Sequence, residues 1–424
     1  MKRGRRKPGG PRPRRRDSYD LSMPSQANLK KLIEAELPAL VALRHDLHKH
    51  PELSHAEERT GRVVQNELSA LGVKFRAGLA EGTGVVGYLP ASDGAAGQGG
   101  SIALRADMDA LPILEETGKA YASATPGVMH ACGHDGHISI LVGVARVLSK
   151  VHRPRPVTLV FQPAEEHGGG ADTMCRQGAL AGEKAGGIGE PVSRIYGLHG
   201  WPQLALGHIA TKPGPLMAAT DDFEVTIKGT QSHGAYPHFG NDPIVATAQI
   251  ITALQSIASR NVGPLDACVV TVGAIHAGTA NNIIPGEVHF IGTIRTLRGD
   301  TKRLAKERFF AIVEQGARAM GCEAKIKYQE GYPVVENDPE TTERALSVAR
   351  TVLGEGRVER LEFATMGGED FSYYGKHVPA CFFFLGLKPR NAATYPTLHQ
   401  PDFDFNDDAL PLGVELMCEL ALRG

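Results

Sequence analysis

Two rhythms of apolar segments, one nested inside the other, constrain this chain more than any other feature of its sequence. From residue 27 to about 210, short apolar runs at 84–89, 101–104, 157–161 and 194–198 alternate with stretches of helical spacing at 27–50, 57–71, 138–150 and 171–179. Such alternation predicts an α/β layer with a largely parallel sheet, because parallel neighbours need a crossover and that crossover is normally a helix. Between 221 and 329 the order changes to strand 221–228, helix 243–260, strands 267–274 and 287–295, helix 301–319 and strand 323–329. That is β-α-β-β-α-β, the order of a ferredoxin-like domain. After Gly331 the α/β character returns, with helix 340–353, strand 380–385 and helix 407–422. The sequence therefore predicts a small domain inserted into a large one. The expected division is a basic arm at 1–22, the large domain at 23–212 and 331–424, and the inserted domain at 213–330.

Composition excludes several classes. At 424 residues the chain exceeds a single compact core, and its 50 Gly and 27 Pro are dispersed rather than periodic, which is not collagen-like. The longest apolar run, 380–387, falls far short of the roughly 18–20 residues that a membrane helix needs. The formal net charge of −1 hides an uneven distribution, since residues 1–16 hold nine Lys or Arg and no acid. The remainder carries 37 basic against 47 acidic residues, so it offers no second patch to hold nucleic acid beside the arm. The arm has neither the apolar stretch of a secretion signal nor the Ser-rich amphipathic pattern of a mitochondrial leader. The expectation is that the functional chain starts at Met23. Six scattered cysteines without a pairing motif suit a reducing, cytoplasmic setting.

Polar clusters recur just after apolar strands of the large domain: Arg105-Ala-Asp107-Met-Asp109, His130 to His137, Glu165-Glu166-His167, His199-Gly-Trp201 and Leu398-His399. Sites in open α/β sheets form outside the carboxyl ends of strands, so these clusters are expected to converge on one crevice. Cys132 and His134 flank Gly133, which can take whatever backbone angle lets both face one ion. Glu165 and Glu166 follow a strand, where neighbours on an extended backbone point to opposite sides; one carboxylate can ligate a metal while the other addresses water. With His199 and His399, the set holds one thiolate, three imidazoles and one or two carboxylates, enough for two divalent ions. The cluster from His45 to His50 is expected to be structural, since it lies on the amphipathic first helix.

The runs RHDLHKHPELS (44–54), ALRADMDALPI (103–113), GVMHACGHDGH (127–137), FQPAEE (161–166), LHGWP (198–202), SHGAYPH (232–238), ANNIIPG (280–286), GTIRT (292–296), MGGEDFS (366–372) and LHQPDFDFND (398–407) occur in that order. In them the chain resembles the M20 metallopeptidases, and more narrowly the amidohydrolase branch that includes hippurate hydrolases, N-acyl-amino-acid amidohydrolases and plant auxin-conjugate hydrolases. The resemblance spans nearly all of 27–420. One departure is Gln231 before Ser232-His233, where that branch usually has Gly.

The resemblance implies an α/β metal-binding catalytic domain with an inserted ferredoxin-like lid that also dimerises. It implies two divalent metal ions per subunit (Zn, Mn, Ni or Co), held by Cys132, His134, Glu166, His199 and His399. Glu165 is then the general base and Asp109 the carboxylate that orients a ligand, while His233, Asn282 and Arg295 on the lid contact the substrate's carbonyl or carboxylate. The implied reaction is hydrolysis of the amide bond of N-acyl amino acids, hippurate-like or N-acetyl, in a homodimer whose sites are completed by the partner's lid. A dipeptidase or aminoacylase-type peptidase on the same motifs, or a catalytically silent binding protein on this fold, remain as alternatives.

Overall fold

The computed structural model describes residues 24–93 and 99–424; the basic arm and the expected start at Met23 lie outside the described residues. Helices α1 (Gln26–Lys49) and α2 (Glu58–Ala70) precede strands β1 (Lys74–Leu79), β2 (Gly84–Leu89) and β3 (Ser101–Asp107). Then come α3 (His134–Leu148), β4 (Val157–Gln162), α4 (Gly170–Arg176) and β5 (Val192–Ala205), followed by the short β6 (Ile209–Thr211) and β7 (Gly214–Met217). The next group is β8 (Ala219–Lys228), β9 (Ser232–His233), α5 (Pro243–Ser256), β10 (Cys268–Ala277), β11 (Ile283–Ile284), β12 (Glu287–Thr296), α6 (Gly299–Ala319) and β13 (Glu323–Glu330). The chain ends with β14 (Val335–Asn337), α7 (Pro339–Leu353), β15 (Val358–Arg360), β16 (Ala380–Lys388) and α8 (Leu410–Arg423).

Eight strands form the large sheet in the order β1-β2-β4-β3-β5-β16-β6-β15. Its centre, β4-β3-β5-β16, is parallel, whereas β1, β2 and β6 pair antiparallel with their inner neighbours. The expectation of a largely parallel sheet thus holds for the core strands and fails at the flanks, where β1 and β2 are joined by a short hairpin and β2 and β6 run against their inner neighbours. Both faces are buried. Along β16, Cys381, Phe383 and Leu385 pack with α1, α3 and α8 on one side, and Phe382 and Phe384 pack with Met174, Phe371 and Tyr374 on the other. Strands covered on two faces read as continuous apolar runs, which is why the sequence located them.

The group β8 to β13 builds a separate antiparallel sheet, ordered β10-β12-β8-β13. Phe223, Val225 and Ile227 of β8 point into a core with Ile250 and Leu254 of α5 and Phe309 and Val313 of α6, while Asp222 and Glu224 face solvent. Helices cover one face and leave the other open. The elements match the order read from the sequence to within a few residues at each end. The short strands β6, β7, β14 and β15 are too brief to show the apolar alternation that would have marked them, and β1 (Lys74–Leu79), which does alternate, is missing from the strands read from the sequence.

The displaced boundary that bears on the site is the start of α3. The run His134-Asp-Gly-His137 reads as a loop, yet it is the first turn of the helix. Gly133 caps it at φ +86°, a conformation that favours glycine, and a Cβ at Gly136 would lie 2.5 Å from the Phe405 ring. Tertiary packing therefore sets this helix start.

The cluster 45–50 is structural. His48 is buried, with Nδ1 2.9 Å from Asp135 and Nε2 3.2 Å from Glu115, and Arg44 bonds both Asp135 and Asp404. This network ties α1 to the start of α3 and to the segment before α8. Cys132, Cys175, Cys268, Cys322, Cys381 and Cys418 are all unpaired, and no described helix is long and apolar enough to cross a membrane.

Candidate metal centre and active-site cavity

The polar clusters converge where the parallel strands end. Asp107 of β3 pairs in register with Gln162 at the end of β4, and Arg105 pairs with Gly197 of β5, so His199 lies level with Asp107. Three neighbouring strands thus deliver polar side chains to one level of the sheet, and the first turn of α3 brings His134 and His137 over them.

The two buried imidazoles are held alike. His134 Nδ1 lies 2.8 Å from the Asp109 carbonyl oxygen and His199 Nδ1 lies 2.8 Å from that of Gly200. A carbonyl accepts only, so each Nδ1 carries a proton and each Nε2 is turned into the cluster, where it can face an ion. His199 Nε2 is 3.3 Å from Cys132 Sγ, while His134 Nε2 is buried without a hydrogen-bond partner. Glu166 Oε1 is also buried and makes no hydrogen bond; it lies 3.3 Å from His399 Nε2. His399 adopts φ +64°, strained for a non-glycine residue, with its amide donating to the Ala131 carbonyl at 2.9 Å. The donor atoms of Cys132, His134 and His199 lie within 4.8 Å of one another, and so do those of Cys132, Glu166 and His399. Two groups sharing one thiol, with orphaned acceptor atoms facing inward, fit a pair of soft-to-borderline divalent cations.

His137 differs. Its Nδ1 donates to Asp107 at 2.6 Å and its Nε2 accepts the Gly200 N–H at 2.8 Å, so both nitrogens are engaged and it positions the strand residue beside His199.

Glu165 and Glu166 lie in a turn rather than on extended backbone, which corrects the reason expected for their divergence. Ala164 before them has φ +55°. The turn is held by carboxylates: Glu57 accepts the Ala164 N–H at 2.8 Å, and Asp109 accepts those of Glu165 at 3.1 Å and Glu166 at 2.9 Å. The Tyr332 hydroxyl donates to the Glu165 carbonyl at 2.5 Å. From this turn Glu166 faces Cys132 and His399, Glu165 faces Glu369 and Asp370, and both carboxylates come within 4.8 Å of a His134 ring nitrogen.

Six carboxylates surround the cluster: Asp107, Asp109, Glu165, Glu166, Glu369 and Asp370. The buried Arg105 bonds Asp107 at 2.6 Å, Glu369 at 2.9 Å, Asp370 at 3.1 Å and Gln162 at 2.8 Å, which leaves acid in excess. Burial, then Glu369 and Glu166, push the Glu165 carboxyl well above its usual range. Burial lowers His134, yet Asp107 and Asp109 overcome it and raise the imidazole to about 10. Burial and the neighbouring Glu166 and Glu165 hold the Cys132 thiol well up, so its ionised form needs a cation beside it. Burial and His137 keep His199 neutral. The field that draws a proton onto His134 is the field a divalent cation would satisfy.

A cavity of about 930 Å³ opens over these groups and is lined by Cys132, Glu165, Glu166, His199, His399 and Arg295. Arg295, on β12 of the small sheet, therefore reaches the same space as the candidate ligands of its own chain. His233 and Asn282 do not line it. They sit side by side on an exposed two-stranded ladder, where His233 pairs with Ile283 and the Gly234 N–H donates to the Asn282 carbonyl at 2.7 Å. Sequence reasoning left Arg105, Asp107, His137, Glu57, Glu369, Asp370 and Tyr332 without roles. Arg105, Asp107 and His137 stood in the polar clusters, and Glu369-Asp370 in a quoted motif, but spacing alone does not say which atoms they meet.

The chain belongs to the family described as peptidase family M20/M25/M40, whose profile matches residues 103–423. It is 38% identical over 387 residues, 91% of this chain and 88% of the other, to the N-acetyl-L-cysteine deacetylase of Bacillus subtilis. It is 37% identical over 392 residues, 91% of this chain and 85% of the other, to the IAA-amino acid hydrolase ILR1-like 4 of Arabidopsis thaliana. Among solved structures, it resembles the YxeP protein of Bacillus subtilis, described as a dinuclear metal binding peptidase from the M20 family. That match has a TM-score of 0.76 and 32% identity, covering 92% of this chain and 98% of the other.

Proposed function

We propose that this protein hydrolyses the amide bond of N-acyl amino acids with two divalent metal ions per subunit, releasing a carboxylic acid and a free amino acid. The observation that carries this reading is the inward turn of His134 Nε2 and His199 Nε2 around Cys132, with Glu166 beside them and the Glu165 carboxylate in the same cavity. Cys132, His134, Glu166, His199 and His399 would hold the ions. Bound ions would supply Lewis-acid activation of water and of the acyl carbonyl. A thiolate among the donors favours Zn, Mn, Ni or Co over Mg.

The chain's own residues do the proton work. Glu165, whose carboxyl is pushed up by burial and by Glu369 and so holds a proton more readily than an exposed glutamate, accepts the proton of the attacking water and returns it to the leaving nitrogen. Asp109 orients His134 through its carbonyl and the glutamate turn through its carboxylate. Arg295 offers a guanidinium for the free carboxylate of the amino-acid half. Supplying the metal-loaded enzyme with benzoyl-glycine, N-acetyl amino acids and dipeptides tests the substrate class. Turnover of the N-acyl amino acids with poor cleavage of dipeptides is expected, and the reverse would make it a dipeptidase.

His233 and Asn282 act on the site of the partner in a homodimer joined through the small domain. What supports this is that neither lines the cavity of its own chain, together with the exposed apolar side chains near His233 in the sequence. Tyr236, Phe239, Ile244 and Val245 are 54%, 73%, 44% and 49% exposed, a patch that a second copy would cover. Mixing inactive His233→Ala with inactive Glu165→Ala under conditions of subunit exchange should restore activity, because each mixed dimer regains one site with both residues intact. No recovery, with mixed dimers confirmed by mass, would refute the shared site and leave the metal chemistry standing.

A further inference from the structure

The turn that carries Glu165 is anchored from two bodies of the molecule. Its amides end on Glu57 and Asp109, both in the large domain. Its Glu165 carbonyl is taken by Tyr332, which lies two residues beyond β13 where the chain returns from the small sheet. The Tyr332 N–H donates to Thr220 Oγ1 at 2.9 Å, its carbonyl accepts the Thr220 N–H at 3.0 Å, and the Gly331 N–H donates to the Thr220 carbonyl at 2.9 Å. Thr220 belongs to β8, on the outgoing crossing. The two chain crossings between the sheets are thus laced together, and one side chain reaches from that lacing to the proposed base. The Tyr332 ring lines the cavity and meets Tyr373 edge-on, with centroids 6.2 Å apart.

The Glu165 carboxylate itself is held weakly by hydrogen bonds. Among the described residues its one hydrogen bond is from the Asp370 N–H at 3.4 Å, at the long limit for such a bond. Its direction therefore depends on where the peptide beneath it is fixed. We propose that Tyr332 is a positioning residue: its hydroxyl fixes the Glu165 peptide against the crossing between the two sheets and so aims the Glu165 carboxylate. The proposal rests on the reading of Glu165 as the base.

A hydroxyl that merely satisfied a buried carbonyl would show in stability and leave turnover alone. A positioning hydroxyl acts on kcat, since small misplacement of a catalytic group costs up to about a hundredfold in rate. In the metal-loaded full chain, Tyr332→Phe should lower kcat by about tenfold or more with KM within about twofold and bound metal unchanged. The double variant Tyr332→Phe/Glu165→Gln should fall no further than Glu165→Gln alone, the signature of two residues acting through one group. Thr220→Val, which removes the acceptor of the Tyr332 N–H, should lower kcat in the same direction by less.

Normal kcat in Tyr332→Phe beside an inactive Glu165→Gln would overturn the proposal and leave the base in place. A further multiplicative loss in the double variant would also overturn it, by putting Tyr332 on the substrate. Unchanged kcat in Thr220→Val would break the link to the crossing. Normal turnover in Glu165→Gln would remove the base and this inference with it.

Discussion

Glu165→Gln is expected to lower turnover by about 10²- to 10⁴-fold while the protein stays folded and keeps its metal. The carboxamide has nearly the shape of the carboxylate and can still accept the Asp370 N–H, but it cannot take a proton from water. Glu166→Gln is expected to behave in the opposite way. Its Oε1 is one of the orphaned buried atoms facing Cys132 and His399, so the loss should fall first on metal occupancy, and excess metal should restore part of the activity. Measuring kcat and bound metal for both variants separates the roles of adjacent residues with the same side chain. If both variants bind metal and turn over normally, the division of labour in this turn is wrong.

Removal of the metal is expected to abolish activity, and added Zn, Mn, Ni or Co to restore it. The same treatment should lower thermal stability. A ligand held only by the folded state adds roughly 4 kcal/mol at a thousand times its dissociation constant, and the six clustered carboxylates would lose their main counter-charge. Arg105 alone cannot replace it, since its guanidinium is already committed to Asp107, Glu369 and Asp370. Activity and the melting curve should therefore recover together on titrating metal back. Full activity after verified removal would reject the mechanism, and restored activity without restored stability would show that the ions are not what balances this field.

How much of this was legible beforehand differs from residue to residue. The longer strands of both sheets were legible because burial on two faces leaves a continuous apolar run, and burial on one leaves the alternation seen in Phe223, Val225 and Ile227. The start of α3 was not, because Gly136 reads as a loop residue while the structure has a helical turn there, with no room for a Cβ beside the ring of Phe405, some 270 residues on. Cys132, His134, Glu166, His199 and His399 stood out as chemistry-bearing residues after apolar strands. That His137 is spent on Asp107 and Gly200 while His134 Nε2 stays 3.6 Å from Asp107 without a hydrogen bond is a matter of local distances, which no spacing rule carries.

By itself the sequence determined the two nested layers, the ends of the strands at which chemistry is gathered, and membership in a metallopeptidase family through motifs in fixed order. Local patterns suffice for these, since hydrophobic period and strand ends are properties of short segments. Only the tertiary structure decided which nitrogen of each imidazole is free, that the glutamate pair sits in a turn rather than on a strand, and that Arg295 shares the cavity while His233 and Asn282 do not. It also joined Tyr332 to Glu165, 167 residues apart. These depend on distances between segments remote in sequence, and such distances are fixed by how the two sheets pack against their helices and against each other.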